Sequence, residues 1–501
     1  MTAERSFVEA ARRANRAALE GAGVAPYAYR FERTHQAADA VALYQDSMGE
    51  QGPMVAVAGR ISALRSQGKT MFAHLDDASG RIQLYLRQDT LGPEWEIAAL
   101  LDLDDIVGVT GTLFRTRTGE VTVRAVLLQV LAKSLRPLPR GKIRETEEGV
   151  TSYGGLSDPE IRYRQRYADL AVHRDVRRVF ELRAETIRFL RGFLDQRGFL
   201  EVETPILQPQ YGGASARPFV THHNALDMPL FLRIADELYL KRLIVGGFEK
   251  VYEIGHDFRN EGMDRQHNPE FTMLEFYQAY ADYHDVLALT EAMIAETVQH
   301  CTGGPGVTVG KAAIDFTPPF RRLCFMDAIS ERTGIDPAEA SDAELRGVLG
   351  RAGLAREILE AMPRPKLLDE VFKHRVEPDL VQPTFVMDHP ISLSPLARRH
   401  RENPELAERF ELYVNGVELA NAFSELNDPD EQLARFEDQG RQRDAGDEEA
   451  QVLDSDYIRA LEYGMPPTGG AGVGVDRLVM LVTGQPSIRD VILFPTMRPE
   501  Q

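Results

Sequence analysis

The sequence predicts an α+β protein in which a small β-barrel precedes a larger domain with an antiparallel sheet flanked by helices. Between Met54 and Leu138, five short alternating runs of β-branched residues are separated by turn signals such as Ser79-Gly80. Beyond Asp175, long helical patterns are mixed with strands that are not each followed by a crossover helix, which favours antiparallel pairing. The length of 501 residues leaves room for both domains.

The composition excludes several classes of protein. Hydrophobic residues make up 43% and charged residues 27%, as in ordinary globular proteins. Only two cysteines, Cys301 and Cys324, are present, too few for a disulfide framework or a thiolate zinc site, so we expect a reducing, cytoplasmic location. The N-terminus lacks the features of a signal or transit peptide, and no run approaches the roughly 18 apolar residues of a membrane span. We therefore expect no membrane partner.

The net charge limits where nucleic acid can bind. Against 58 Lys and Arg stand 77 Asp and Glu, a formal net charge of −19. Because an even acidic charge repels a polyanion, any nucleic-acid site must be local. One acid-free segment, 131–144, carries the basic residues Lys133, Arg136, Arg140, Lys142 and Arg144. It is either a solvated linker or a basic strip that meets a phosphate backbone beside the barrel.

Four segments follow from these patterns: an N-terminal helical extension (1–48), the barrel (49–140), a linker (141–175) and the larger domain (176–501). In the extension, Phe7, Ala11, Ala14 and Ala18 recur at spacings of three or four, which predicts an amphipathic helix packed on its neighbour. Five strands are the strand number of the OB-fold, a small barrel that often binds nucleic acid. The barrel is therefore the candidate nucleic-acid-binding domain.

A hairpin in the larger domain predicts a cation site. Asn415-Gly416 between two alternating runs is a strong signal for a two-residue type I′ turn, and its register pairs Tyr413 with Glu418. Glu411 shares the face of Tyr413, so Glu411 and Glu418 should lie diagonally on one side of the sheet, about 7–8 Å apart. Two carboxylates so placed can hold a hard cation that also binds phosphate oxygens. The alternative is an exposed acidic face on a surface hairpin.

Two arginines predict a phosphate site without a standard nucleotide motif. No P-loop is present, and GGAGVGVDR fails the dinucleotide fingerprint because residue 475 is valine. Arg259 ends a strand before a loop that contains Arg265 and His267, and it can clamp phosphate, because guanidinium donors match phosphate oxygens in pairs. Glu275 and Tyr277 share one face of the returning strand. Arg477, before an apolar helix start, can add a second guanidinium, although each of these residues is also compatible with a structural contact.

Together these segments resemble class II aminoacyl-tRNA synthetases, and among them the lysyl-tRNA synthetases of the bacterial and eukaryotic type, from about Val55 to Pro495. FLEVETPIL, around Pro205, is similar to the first motif of the family, which forms the dimer interface. FRNEG with HNPEFT is similar to the second motif, and GVGVDRL to the third. The resemblance implies that a homodimer attaches L-lysine to tRNA(Lys) through a lysyl-adenylate, using ATP and Mg²⁺.

The resemblance also implies roles for individual residues. The catalytic residues that hold the ATP phosphates would be Arg259 and Arg477. The other residues around ATP would be Glu261, His267, Asn268 and Phe271, with Phe271 stacked on adenine. The Mg²⁺ ligands would be Glu411 and Glu418. The lysine pocket would be formed by Gly213, Glu237, Glu275, Tyr277, Asn421 and Glu425, with Glu237 on the α-ammonium. The barrel residues that read the anticodon would be Arg65, Phe72, Gln83 and Glu120.

A charge argument favours lysine as the amino acid. Aspartyl relatives place an arginine seven residues after the glutamate that corresponds to Glu418, where it pairs with the substrate carboxylate. This chain has Glu425 there. A buried carboxylate suits an ε-ammonium, whereas a second carboxylate beside it costs several kcal/mol. Phe72 would stack on a splayed base, worth about 1–3 kcal/mol, although without the resemblance Phe72 is assigned to the barrel core.

Three features depart from the family pattern. His256-Asp257 stands where a basic residue and another side chain are expected, which could alter the charge near ATP. Ala422 replaces a common glycine. Simple alternation places Asn421 and Glu425 on the face opposite Glu418, so all three line one site only if a β-bulge intervenes.

Two other functions are compatible with parts of the sequence. A paralogue that transfers lysine to a protein would share the catalytic motifs, but its relatives generally lack the barrel. A non-catalytic RNA-binding protein could retain the fold, but it should have lost at least one of Arg259, Glu411, Glu418 and Arg477. All four are present.

Overall fold

The computed structural model describes residues 6–49, 52–146, 149–153, 155–444 and 451–500. The chain forms two compact units, Met1–Ser157 and Asp158–Gln501. Within the described residues, no helix combines the length and apolar character that crossing a membrane requires.

The first unit contains a closed five-stranded barrel, as predicted. Its elements are α1 (Phe7–Gly21), α2 (Ala37–Leu43), β1 (Met54–Gln67), β2 (Thr70–Asp76), β3 (Arg81–Arg87), α3 (Gln88–Leu91), α4 (Glu94–Ala98), β4 (Ile106–Arg115), β5 (Val121–Ala132), β6 (Lys142–Thr146) and β7 (Gly149–Tyr153). The barrel closes in the order β1-β2-β3-β5-β4, and β6 and β7 form a separate hairpin. Along β2 and β3 every second residue is buried, so the residues between face outward.

Helix α1 packs through a different face from the predicted one. Phe7 is 87% exposed, and the three alanines of the predicted stripe are exposed as well. The buried residues of α1 are Arg12 and Leu19. Arg12 donates to the Ser134 hydroxyl at 3.1 Å and lies 3.6 Å from Asp104. The predicted apolar face is therefore wrong, because a buried arginine with polar partners holds the helix in place.

The basic segment after the barrel begins inside the unit rather than as a free strip. Lys133 is buried, with Nζ 2.6 Å from carboxylate oxygens of Asp102 and Asp105. Arg140 Nε lies 3.0 Å from Asp104. The side chains at 142 and 144 lie outside the described residues. The phosphate-binding alternative is thus wrong for Lys133 and unsupported for Arg140, since carboxylates of the same unit already neutralise them.

The second unit is built on an eight-stranded sheet with helices around it. Its helices are α5 (Pro159–Arg164), α6 (Arg166–Val172), α7 (Arg174–Asp195), α8 (Glu237–Val245), α9 (Tyr283–Thr302), α10 (Phe325–Thr333), α11 (Asp342–Arg351), α12 (Arg356–Ala361), α13 (Arg364–Arg375), α14 (Pro429–Asp444), α15 (Ser455–Glu462), α16 (Val475–Thr483) and α17 (Ile488–Val491). Its strands are β8 (Leu200–Glu201), β9 (Leu207–Gln208), β10 (Val220–His223), β11 (Met228–Leu232), β12 (Lys250–Phe258), β13 (Glu270–Ala279), β14 (Gly306–Val309), β15 (Ala312–Asp315), β16 (Arg321–Cys324), β17 (Thr384–Met387), β18 (Arg409–Val414), β19 (Val417–Ser424) and β20 (Thr468–Gly474).

The large sheet has the order β16-β17-β18-β19-β20-β13-β12-β8. Its central pairs are antiparallel, and the pairs at its two ends, β16 with β17 and β12 with β8, are parallel. The main core includes residues from the sheet and from α7, α9 and α16, such as Leu194, Phe276, Ile294 and Val479. The antiparallel sheet flanked by helices is thus confirmed.

The β18–β19 hairpin contains both the predicted turn and a bulge. The turn residues at 415 and 416 have φ values of 55° and 69°, as a type I′ turn requires, and Tyr413 pairs with Glu418. The register then shifts, so that Glu411 pairs with Asn421. Because one extra residue reverses the alternation of a strand, the bulge brings Asn421 to the face that carries Glu411 and Glu418.

Candidate active site

One cavity of about 1570 Å³ lies in the second unit, lined in part by β13, β18, β19 and β20. Every residue predicted to contact ATP, lysine or Mg²⁺ lines it, namely Gly213, Glu237, Arg259, Glu261, His267, Asn268, Phe271, Glu275, Tyr277, Glu411, Glu418, Asn421, Glu425 and Arg477. These residues come from segments far apart in the sequence. Their roles toward each ligand stay predictions, but they share one cavity.

Arg477 connects the hairpin that carries Glu418 with the loop that carries His267. Its Nη1 donates to the backbone oxygen of Glu418 at 2.6 Å, and its Nη2 lies 3.4 Å from His267 Nε2. The guanidinium carbon of Arg259 lies 5.1 Å from the centre of the Phe271 ring. Two guanidinium groups, an imidazole and an aromatic ring therefore line the same cavity, a combination suited to a polyphosphate attached to a planar base.

The junction that carries Arg477 is held by its neighbour Asp476. Asp476 is buried, and it accepts a hydrogen bond from the backbone N–H of Thr272 at 2.6 Å. Its other oxygen accepts from Arg183 Nη1 at 2.5 Å. Since Thr272 lies on β13, these bonds tie the start of α16 to the strand that follows the Arg259 loop.

The two carboxylates of the predicted metal site differ in their surroundings. Glu411 accepts hydrogen bonds from Arg409 at 2.5 Å and from the Tyr413 hydroxyl at 2.6 Å. Burial acts to raise the pKa of Glu411, but Arg409 and the other nearby donors outweigh it and hold that pKa below its ordinary value. Arg409 also donates to Asn421 Oδ1 at 3.0 Å. One arginine therefore positions a predicted metal ligand and a predicted lysine-pocket residue.

Glu418 is the more open of the two, with 39% of its side chain exposed. Partial burial and the negative charge of Glu411 raise the pKa of Glu418, and the positive charges of Arg477, Arg409 and Arg259 limit that rise. Arg477 Nη1 lies 3.7 Å from its Oε2. Two carboxylates that open onto one cavity are the kind of oxygen donor set that divalent cations bind.

A buried ion cluster that the sequence analysis missed lies in the predicted lysine pocket. Lys241 on α8 is fully buried, with Nζ 2.5 Å from Glu237 Oε1 and in contact with Glu425 Oε2. Burial raises the pKa of Glu237 and of Glu425, and Lys241 limits that rise. The sequence feature that could have revealed this cluster is the four-residue spacing of Glu237 and Lys241. Residues four apart on a helix lie close enough to form an ion pair.

Glu275 and Tyr277 form a second buried pair on β13. The Tyr277 hydroxyl donates to Glu275 Oε2 at 2.9 Å. Glu275, Asp236 and Asp257 bring carboxylate oxygens within 4.8 Å of one another. Burial, with repulsion from the two aspartates, raises the pKa of Glu275 well above its ordinary value. This pair therefore places a hydroxyl and an acidic group side by side in the cavity wall.

The His256-Asp257 departure alters this buried cluster rather than adding an exposed acid. Asp257 is buried, and its Oδ1 lies 3.2 Å from Arg233 Nε. His256 is exposed and lies 3.2 Å from Glu270. Neither residue lines the cavity, so Asp257 affects the site through Glu275.

Two glycines let the pocket walls approach each other. At Gly470 on β20 an added Cβ would lie 2.3 Å from Glu425 Oε1 and 2.4 Å from Tyr277 Cε1, so only glycine fits. Gly213 has φ +89°, and its added Cβ would lie 3.3 Å from Glu237 Cβ. The pattern GGAGVGVDR did not predict this packing role of Gly470, because the contacting residues Glu425 and Tyr277 are distant in sequence.

Three of the predicted anticodon residues, Arg65, Phe72 and Gln83, lie on neighbouring strands of the barrel in the first unit, and Glu120 directly precedes β5. Arg65 on β1 pairs with Phe72 on β2, and Gln83 Nε2 donates to Glu120 Oε2 at 2.7 Å. Phe72 is half-buried, with both chain neighbours buried. Its assignment to the barrel core, made without the resemblance, is therefore wrong, because alternation turns Phe72 to the outer face.

Further aromatic rings continue this outer face. The Phe72 and Tyr85 ring centres are 4.7 Å apart, and those of Tyr85 and Phe114 are 5.9 Å apart. The guanidinium of Arg124 lies 4.6 Å from the centre of the Phe114 ring. The sequence analysis missed Tyr85 and Phe114, although the alternation of β3 placed Tyr85 on the face of Gln83. Phe72 and Tyr85 are partly exposed, so these two rings are a suitable surface for stacking bases, whereas Phe114 is buried.

Comparison with known protein families agrees with this geometry. The profile of the tRNA synthetases class II (D, K and N) matches residues 158–498, more than half of the chain. The chain belongs to this family. The synthetase also matches the OB-fold nucleic acid binding domain over residues 55–138, which contain the barrel.

Several relatives of the synthetase are similar over nearly their whole length. The lysine–tRNA ligase of Moorella thermoacetica is 52% identical over 487 residues, 96% of each chain. That of Roseiflexus castenholzii is 54% identical over 487 residues, 96% of this chain and 97% of its own. That of Bacillus subtilis is 49% identical over 485 residues, 96% of this chain and 95% of its own. Within the class II family, the synthetase belongs with these ligases.

Proposed function

We propose that the synthetase joins L-lysine to tRNA(Lys) in two steps. In the first, the lysine carboxylate attacks the α-phosphate of ATP in line, the bond between the α- and β-phosphates breaks, and the products are lysyl-adenylate and pyrophosphate. In the second, the 3′-hydroxyl of the tRNA attacks the acyl carbon, and AMP leaves. The observation that carries this proposal is a single cavity that combines two guanidinium groups and paired carboxylates with a pocket whose buried acids suit a substrate with two ammonium groups.

Arg259 and Arg477 bind the phosphates of ATP and neutralise the charge that develops as pyrophosphate leaves. Phe271 stacks on adenine, while Glu261, His267 and Asn268 line the space around the nucleotide. No covalent nucleophile is required, because positioning and charge neutralisation account for most of the acceleration in phosphate-centred displacements.

Glu411 and Glu418 would hold Mg²⁺, since both carboxylate side chains line the cavity that contains Arg259 and Arg477. A bound ion would supply charge neutralisation at phosphate oxygens. Arg409 keeps Glu411 ionised and oriented in readiness for it.

The lysine pocket separates the two ends of the substrate. Glu237, packed against Gly213, receives the α-ammonium, while Glu425, with Glu275, Tyr277 and Asn421, receives the ε-ammonium. A substrate carboxylate at Glu425 would meet like charge at a cost of several kcal/mol. This repulsion disfavours aspartate and favours lysine as the substrate.

We assign anticodon recognition to the barrel (49–140) and catalysis to residues 176–501, with 1–48 as a helical extension and 141–175 as a linker. Arg65, Phe72, Gln83 and Glu120 read the anticodon, and Phe72 stacks on one base. The cytoplasm, where tRNA is used in translation, is the proposed location, in agreement with two unpaired cysteines.

A homodimer formed through the first motif completes the proposal. Leu200, Ile206 and Leu207, beside Pro205, are large apolar side chains between 46% and 50% exposed, and exposed apolar groups of this kind favour protein contacts. Sedimentation equilibrium should give the mass of two chains. A concentration-independent mass of one chain would contradict the dimer.

The two-step function is tested by supplying radiolabelled lysine, ATP and Mg²⁺ with either a tRNA(Lys) transcript or a protein extract freed of RNA. Label should become acid-precipitable with tRNA(Lys) and be removed by mild base, which cleaves an ester. Label that appears only on protein would favour the lysine-transferring paralogue, and no label on either acceptor would favour a non-catalytic RNA-binding protein.

A further inference from the structure

Lys241 is a buried ammonium between the two glutamates of the lysine pocket. Its side chain is 0% exposed, and its Nζ contacts Glu237 on its own helix and Glu425 beyond the end of β19. On another side the Phe423 ring lies 5.1 Å from Nζ, so the charge is also close to an aromatic face. Lys241 does not line the cavity and therefore acts through the glutamates.

The contacts of Lys241 leave carboxylate oxygens for a ligand. Lys241 contacts Oε1 of Glu237 and Oε2 of Glu425. Oε1 of Glu425 is buried and accepts no hydrogen bond from any described residue. The same oxygen lies next to Gly470 and Tyr277, and Glu425 lines the cavity. A buried acceptor without a donor is costly, and a substrate ammonium would satisfy it.

We propose that Lys241 is a positioning residue for the amino-acid substrate: its ammonium keeps Glu237 and Glu425 ionised and close together, so that both can bind the ammonium groups of lysine. This inference rests on the proposed function, which assigns the α-ammonium to Glu237 and the ε-ammonium to Glu425. The two glutamates and Lys241 together carry one net negative charge. A side-chain ammonium neutralises that charge.

Lys241 is needed at this position because burying two like charges close together is unfavourable. Two carboxylates that share one ammonium lie close together, and burial favours their neutral forms. Without Lys241, burial and mutual repulsion would favour protonation of at least one of them, and a neutral carboxyl group forms no ion pair with an ammonium. The other titratable or charged groups facing them are Tyr457 on α15, Glu275 and Tyr277 on β13, and Arg409 on β18.

The first test compares wild type with Lys241→Met, which keeps an unbranched side chain of similar length without the charge. Lysine-dependent ATP–pyrophosphate exchange is measured from pH 6.5 to 8.5. At pH 7 the variant should show a KM for lysine raised about tenfold or more, with the KM for ATP within about twofold of wild type. The KM for lysine should then fall as pH rises, because the glutamates ionise again.

Two control variants separate charge from structure. Arg242→Met changes the next residue of α8, which pairs with Asp454 at 2.7 Å and does not line the cavity. It should leave the KM for lysine and its pH dependence as in wild type. Lys241→Arg retains a cation, so the pH dependence should return to that of wild type even if the KM does not. An unchanged KM and pH profile in Lys241→Met would overturn the inference.

The second test uses the wild type alone and does not depend on variant folding. Lysine binding is measured by calorimetry at pH 7.5 in two buffers of different ionisation enthalpy, which reports protons released. If Lys241 keeps both glutamates ionised, lysine binds without net proton release. Release of about one proton would overturn the inference while leaving the proposed function intact. Absence of any lysine binding or lysine-dependent exchange would overturn the proposed function, and the role of Lys241 with it.

Discussion

The cavity of the second unit and the outer face of the barrel organise their polar side chains differently. In the cavity, charges are buried and bonded to one another, as in the contacts of Lys241 with Glu237 and Glu425. On the barrel, Arg65 is exposed and Phe72 is half-buried on an outward-facing surface. Removing one partner from a buried charge pair costs about 3–5 kcal/mol, whereas one stacked base is worth about 1–3 kcal/mol. Substitutions in the cavity should therefore have the larger effects.

The largest effect is expected from Arg259→Ala. This change removes one of the two guanidinium groups assigned to the proposed phosphate site. We expect kcat for ATP–pyrophosphate exchange to fall about 1000-fold, with the thermal midpoint within a few degrees of wild type. A kcat within tenfold of wild type would remove Arg259 from the catalytic residues.

Glu425→Gln should separate the two substrates. The amide cannot pair with an ε-ammonium, and it leaves the Lys241 ammonium with only Glu237. We expect the KM for lysine to rise about 100-fold while the KM for ATP changes less than about threefold. Steady-state exchange with each substrate varied in turn measures both values. Equal increases in the two KM values would remove Glu425 from the side-chain pocket.

Gly470→Ala tests the close packing of the pocket without changing a charge. The added methyl group would meet Glu425 Oε1 and Tyr277, so it should displace them and raise the KM for lysine about tenfold or more. The matched control is Gly192→Ala on α7, where an added Cβ has nothing within 4 Å; this control should behave as wild type. Similar kinetics in the two variants would contradict the packing at Gly470.

Phe72→Ala should have the smallest effect of these substitutions. It should weaken tRNA charging and leave adenylate formation unchanged. The loss of one stacked base should raise the KM for tRNA(Lys) about tenfold and leave lysine-dependent exchange unchanged. Phe72→Trp keeps an aromatic face and should retain most of the charging activity. Loss of both exchange and charging in Phe72→Ala would indicate that Phe72 is needed for folding. The proposed contrast between the cavity and the outer face of the barrel would then be wrong.

Patterns over neighbouring residues predicted much of this structure. Alternation gave the strands of the barrel, and the Asn415-Gly416 turn gave the hairpin and its pairing of Tyr413 with Glu418. These features depend on local backbone preferences and on one buried face. For the same reason, alternation alone predicts that Phe72 faces outward. Alternation does not identify the ligand that Phe72 would bind.

Features that depend on partners distant in sequence were missed or wrong. The face through which α1 packs is set by Arg12, whose partner Ser134 lies far along the chain. The shared contact of Lys241 with Glu425 joins a helix to the end of a strand. The bulge that brings Asn421 beside Glu411 was recognised only as a requirement. Spacing within one element does not contain such contacts, so sequence reasoning could not supply them.

The central claim is that the acids of the cavity select lysine for activation. The most direct test is ATP–pyrophosphate exchange with the purified protein and Mg²⁺, with each of the twenty amino acids supplied separately. The proposed function predicts exchange with lysine alone. Exchange with aspartate would contradict the charge argument at Glu425, and no exchange with any amino acid would contradict the assignment of the cavity to adenylation.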